Sequence, residues 1–131
     1  MMELFDKTIE LLQRGIALSW FRHGLLASNI ANVETPGFEP RDIDFKAELE
    51  KALRGGGIEL LRTNPRHLGA ERSQGIRILY RGDWENPDGN RVNLEKEAVE
   101  LAENYLHYMA MLRILQRKLE RLKYTISEGG R

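Results

Sequence analysis

The chain has 131 residues, with twenty Lys and Arg against twenty Asp and Glu, 41% hydrophobic residues and no cysteine. That length supports one structural unit, not two separate cores, and the balanced charge excludes a dedicated nucleic-acid binder held by a basic surface. Disulfides and thiolate sites are excluded too, and Arg14, Arg22 and His23 keep the longest apolar run well short of the roughly 18 residues of a membrane-spanning helix.

From Phe5, spacings of four and three alternate through Ile9, Leu12, Ile16, Ser19, His23, Leu26, Ile30 and Val33. This heptad seam, broken only by Ser19 and His23, predicts one long helix within residues 1–35. Leu4, Leu11, Leu18 and Leu25 run beside it at intervals of seven, and Trp20 and Phe21 widen the apolar face further. Glu3 and Asp6 stand where a secretory leader would carry basic residues, so no cleaved signal is expected.

Composition changes over residues 36–92, which hold all four prolines and most glycines. Thr35 before Pro36 is biased to extended backbone, and Pro36-Gly37 suits the centre of a type II turn. Asn29 and Asn32 are expected to help stop the first helix, by bonding free carbonyls or by adopting a left-handed conformation. A short helix is predicted near 43–53, started by Asp42 or Asp44 and ended by Gly55, Gly56 and Gly57. IELLRT at 58–63 and GIRILY at 75–80 read as short strands, and NPDGN at 86–90 as a turn.

Residues 93–131 repeat the opening pattern: Leu94, Ala98, Leu101, Tyr105, Tyr108, Leu112, Leu115, Leu119, Leu122 and Ile126 keep the four–three alternation unbroken. Asn93 is placed to cap this helix, and Gly129 with Gly130 to end it. Glu95, Glu97, Glu100 and Glu103 lie early, whereas Arg113, Arg117, Lys118, Arg121 and Lys123 lie late. That polarity complements the helix dipole. It fits charges that merely solvate one helix, and it also fits copies stacked acidic end to basic end.

The expected fold is therefore mainly α: long N- and C-terminal helices pairing in a coiled-coil-like helical domain, with a small irregular or β middle. No catalytic, cofactor or metal site is predicted. His23, His67 and His107 are isolated, and no phosphate-binding loop or metal-ligand spacing occurs. Asp42 and Asp44 lack the further oxygen ligands of a calcium loop. His23 reads as a partly exposed, hydrogen-bonded residue at a loosened point of the seam. Tyr105 and Tyr108 read as packing residues, and the Arg81–Asp83 RGD triplet is too short to carry an adhesion role.

One string is more specific than its turn-forming residues require. Leu25-Leu26-Ala27-Ser28-Asn29-Ile30-Ala31-Asn32-Val33-Glu34-Thr35-Pro36-Gly37 resembles the LxxNIANxxTPG signature of the flagellar rod and hook axial protein family. RDIDF at 41–45, TNPRHL at 63–68 and DGNRVNLEKEAVELAENYLHY at 88–108 resemble the proximal-rod branch of that family most. The motif residues are Asn29, Ile30, Ala31, Asn32, Thr35, Pro36 and Gly37.

The resemblance implies a structural, non-enzymatic subunit of the flagellar basal body. Its implied partners are other rod proteins, the rod-to-membrane-ring junction protein and the membrane ring. Export would use the flagellar type III apparatus, without a cleaved signal, to a periplasmic rod; no nucleic acid or small-molecule substrate is implied. Separately, the breadth of the first apolar face leaves surface for other chains to cover. Leu12, Ile16, Leu26, Ile30, Leu101, Leu112, Leu115 and Leu119 are the expected assembly residues. The competing reading is a soluble helical adaptor or chaperone-like module that masks a partner's helix. A third, an enzyme using His67 or the Asp42/Asp44 pair, has no supporting motif.

Overall fold

The computed structural model describes residues 2–55, 75–81 and 92–129. Five elements follow in chain order: α1 Met2–Ala31, β1 Arg41–Asp42, α2 Phe45–Gly55, β2 Leu79–Tyr80 and α3 Leu94–Gly129. At 1.5 Å per residue, α1 and α3 are about 45 and 54 Å long.

The mainly α fold with a small β middle is thus as the heptads predict. The two long helices run antiparallel: Asn29 meets Glu97, Ser19 meets Asn104, Gly15 meets Met111 and Phe5 lies under Lys118. Gly15 is buried, and a Cβ there would stand 2.8 Å from Met111 Sδ, so its missing side chain lets the helices approach.

Helix ends follow local chemistry. Asn93 caps α3, its Oδ1 accepting from Lys96 N at 3.2 Å. Asp44 caps α2 through Ala47 N at 3.1 Å, which starts that helix at Phe45, two residues later than the predicted Ile43. Asn32 Nδ2 bonds the Ser28 carbonyl at the end of α1, 2.8 Å away. Phe38 N then bonds Thr35 O at 3.3 Å with Gly37 at φ 75°, a type II turn centred on Pro36-Gly37. No non-glycine residue among those described is left-handed, so Asn29 and Asn32 act through their amides.

The middle folds back over α1. β1 and β2 pair antiparallel, Arg41 opposite Tyr80 and Asp42 opposite Leu79, and Arg81 N extends the ladder to Pro40 O at 2.7 Å. Strand pairing thus involves only the last two residues of the predicted 75–80 strand, and its partner is the segment just before α2. The predicted strand at 58–63, the 86–90 turn, Gly56, Gly57 and His67 lie outside the described residues. Glu48 on α2 holds the approach to β2, accepting from Arg77 N at 3.0 Å and pairing with Lys51 at 2.8 Å.

Leu18 and Leu25 of α1, Ile43 and Ile76 form the core, with Phe21, Phe45 and Leu49 packed around them. Each fully buried leucine contributes about 1.5–3 kcal/mol. The Leu4–Leu11–Leu18–Leu25 column is therefore covered only in its second half, where the middle segment lies on it; Leu4 and Leu11 are exposed.

Candidate functional site: a polar clasp and the faces left open

Where α1 ends, β1, the residue after β2 and the start of α3 converge on a buried polar cluster. Asn29 is fully buried at its centre. Its Oδ1 accepts from Arg41 N at 2.9 Å, while Nδ2 donates to Arg41 O at 2.8 Å and to Glu97 Oε2 at 3.0 Å. An amide is suited to this, since it offers the β1 backbone both a donor and an acceptor and keeps a second N–H for a carboxylate. Asn29 thus joins three elements, a larger role than helping to end a helix.

Glu97 is fully buried too, and Arg81 Nη2 reaches its two oxygens at 3.2 and 3.3 Å. Arg81 also bonds Glu100 at 2.7 Å and approaches Asp42 at 3.3 Å. Arg22 grips Asp42 bidentately at 2.8 and 3.0 Å and touches Glu100 at 3.3 Å. Two guanidinium groups therefore serve three carboxylates, with paired planar geometry where Arg22 meets Asp42.

Burial alone would raise the Asp42 carboxyl; hydrogen bonds from Arg22 and the Ile43 amide, with the charges of Arg22 and Arg81, hold it below the ordinary carboxylate range. Glu97 goes the other way. Burial pushes it up, Glu100 and Asp42 add like charge, and Asn29 and Arg81 only partly oppose them. The hydrogen bond to Asp42 raises Arg22 against the penalty of its burial.

A second polar contact lies two turns along α3. Asn104 is buried and its Nδ2 donates to the Ser19 carbonyl at 2.9 Å. Beyond it, Trp20 stacks on His23 with ring centroids 5.7 Å apart and leans on Tyr108 at 5.8 Å, while His23 meets Tyr105 at 6.5 Å. His23 is partly exposed, and its described contacts are aromatic rings.

These positions correct the expected packing face of α3. Leu101, Tyr108, Leu115 and Leu122 face inward as predicted, yet alternating with them are Glu97, Asn104, Met111 and Lys118, not Ala98, Tyr105 and Leu119. Ala98, Tyr105, Leu119 and Ile126 are exposed and Leu112 is half-buried. Glu97 and Glu100 accordingly do more than solvate the helix, pairing within the chain with Arg22 and Arg81.

Of the expected assembly residues, Leu12 and Leu26 are buried inside the chain, while Ile16, Ile30, Leu101, Leu112 and Leu115 are half-buried. Leu119 is 46% exposed. Other large apolar residues open to solvent include Leu4, Leu106, Ile114 and Tyr124. Asp42 is occupied by arginines and an amide, and Asp44 Oδ1 accepts the capping bond of α2. Among the described residues, no helix is long and apolar enough to cross a membrane.

The chain is 35% identical over 138 residues to the flagellar basal body rod protein FlgB of Salmonella typhimurium, a match covering 99% of this chain and 100% of that one. The chain belongs to the FlgB family of flagellar basal body rod proteins. Similarity to the FlgB of Yersinia enterocolitica is 33% identity, covering 98% of this chain and 100% of its relative; for the FlgB of Bacillus subtilis it is 29%, covering 99% and 100%. No family model matches the chain. Within this FlgB-family chain, Asn29 and Asn32 of the NIAN string do separate work, one in the clasp and one closing α1. Pro36-Gly37 turns the chain so that Arg41 can return to Asn29. Arg22, Arg81, Glu97 and Asn104 escape a reading of apolar periodicity. Their available signal is the interval of seven between Glu97 and Asn104, which places both beside the seam leucines.

Proposed function

We propose that this chain is a structural subunit of the flagellar basal-body rod, without catalysis, joined to other axial proteins through apolar faces that its terminal helices leave open. Its neighbours are other rod proteins, the rod-to-membrane-ring junction protein and the ring itself, and torque passes through those contacts. Export by the flagellar type III apparatus, without a cleaved signal, delivers it to the periplasmic rod. The relatives named as rod proteins support this reading. The observation that carries it is the exposed Tyr105, Leu119 and Ile126 column on a helix whose other face is already packed. Packed helices resist shear through many weak contacts together, whereas an exposed ion pair contributes only about 0–1 kcal/mol.

Replacing Leu119 and Ile126 with Lys tests the assignment. Circular dichroism of the isolated variant should match wild type, because both residues are solvent-exposed, while sedimentation with purified axial partners and ring fragments should show its incorporation lost. Wild-type incorporation would move the interface elsewhere. Saturation of the wild-type protein at a small fixed ratio, in place of open-ended assembly, would favour the adaptor reading.

A further inference from the structure

We infer that Glu97 and Asn104 set the rotation of α3 about its own axis, holding a polar face inward and the more apolar face outward. The two candidate faces share Leu101, Tyr108, Leu115 and Leu122 and differ by one residue in the alternate column. The column in use is Glu97, Asn104, Met111 and Lys118; the neighbouring column is Ala98, Tyr105 and Leu119, continued by Ile126, all exposed, with Leu112 half-buried among them. At 3.6 residues per turn, exchanging them takes a rotation of only about 50°. Apolar burial by itself favours the second column.

Specific partners on α1 and beside it explain the choice. Glu97 finds Asn29 and Arg81, and Asn104 finds the Ser19 carbonyl; both side chains are buried with these bonds made. Rotation would strip Asn29 and Arg81 of a buried acceptor, which opposes it at the partner's side as well as at Glu97 itself. Lys118 is tolerated inward because its Nζ lies over the Phe5 ring at 5.6 Å from the centroid. A lone buried Asn selecting one register over apolar competitors is an attested use of polar residues in helical seams. This selection goes beyond the rod assignment and does not depend on what the outward column meets.

The rival device is the notch at Gly15, where Met111 fits so closely that a Cβ would touch it. Cysteine labelling separates the two, because the chain has no cysteine of its own. Leu119→Cys and Met111→Cys are made as single reporters in the full chain and labelled with a maleimide. In the otherwise native chain, position 119 should react roughly tenfold faster than position 111, following their protection in the packed helix pair. With Glu97→Ala and Asn104→Ala added, α3 should turn and the order should invert. An unchanged order, with helicity kept, would overturn the inference; undiminished labelling in the Leu119→Cys chain, where Met111 still fills the notch, would then assign the choice to the notch. Loss of helicity would overturn it too, since alanine is the best helix former and the apolar column should still pack. Gly15→Ala with Glu97 and Asn104 intact should leave the order unchanged; inversion there would also sink the inference.

Discussion

The two ends of the helix pair obey the same heptad and are built in opposite ways. At the end where α1 stops and α3 begins, Leu18, Leu25 and Leu26 are covered, and Arg22, Asn29, Asp42, Arg81, Glu97 and Glu100 tie α1, β1, α3 and the residue after β2 together. At the other end Leu4, Leu119, Tyr124 and Ile126 are exposed, and the described charge contacts are surface pairs such as Lys7 with Glu3. The lesson is a division of labour along one hairpin. Polar groups at the closed end fix how the helices meet, which frees the open end to keep apolar surface that its own chain does not use.

The sharpest way to break this contrast is to remove a cation from the closed end. Arg81→Met leaves Glu97 buried beside Glu100 and Asp42, and should lower unfolding stability in urea by about 3 kcal/mol, the lower bound for a broken buried pair, because Arg81 keeps 20% of its side chain in solvent. A loss under about 0.5 kcal/mol, the size of an ordinary surface change, would mean that the cluster holds little.

Acid titration is a gentler probe of the same end. The folded pKa of Asp42 lies below its ordinary 3.8, so the stability it contributes is present above 3.8 and is lost as pH falls through the depressed value. Glu97 lies above its ordinary 4.5, so its contribution is full below 4.5 and lost as pH rises through the elevated value. Acidification from neutrality should therefore first strengthen the fold through Glu97 and then weaken it through Asp42. Urea midpoints measured across this range should show Asp42→Asn lacking the final fall; a variant that retains it would place the acid sensitivity in another group.

The smallest effect is expected at the open end. Leu4→Ser should change stability by less than about 0.5 kcal/mol, since Leu4 is 70% exposed. A loss as large as that of Arg81→Met would erase the distinction between the ends.

How much of this was legible in the residues divides along a physical line. Asn93, Asp44, Asn32 and the Pro36-Gly37 turn could be read because each acts on backbone within four positions of itself. The two long helices could be read because periodicity accumulates over many turns. The clasp could not, because Arg22 and Asp42 are 20 positions apart and Asn29 and Glu97 68 apart. Apolar periodicity scores Glu97 and Asn104 as solvated surface, so it chose the neighbouring column and placed Leu119 inside the seam. The β middle was legible but its pairing was not, for a different reason: GIRILY has strand composition and holds β2, but its partner is Arg41–Asp42, within a segment that reads as a helix start.

The separations of Asn29's partners also order the steps by which the chain can fold. Its bonds to Arg41 close a loop of only 12 positions, through a turn that Pro36 and Gly37 prepare, whereas the bond to Glu97 closes 68. In a flexible chain the longer closure costs roughly 1.5 kcal/mol more in entropy. The near bonds can thus form first, leaving one N–H of the same amide aimed at the place where α3 must arrive. Asn29 is in this sense a hinge in time: it finishes the local fold of the first 42 residues and supplies the landing point for the last helix.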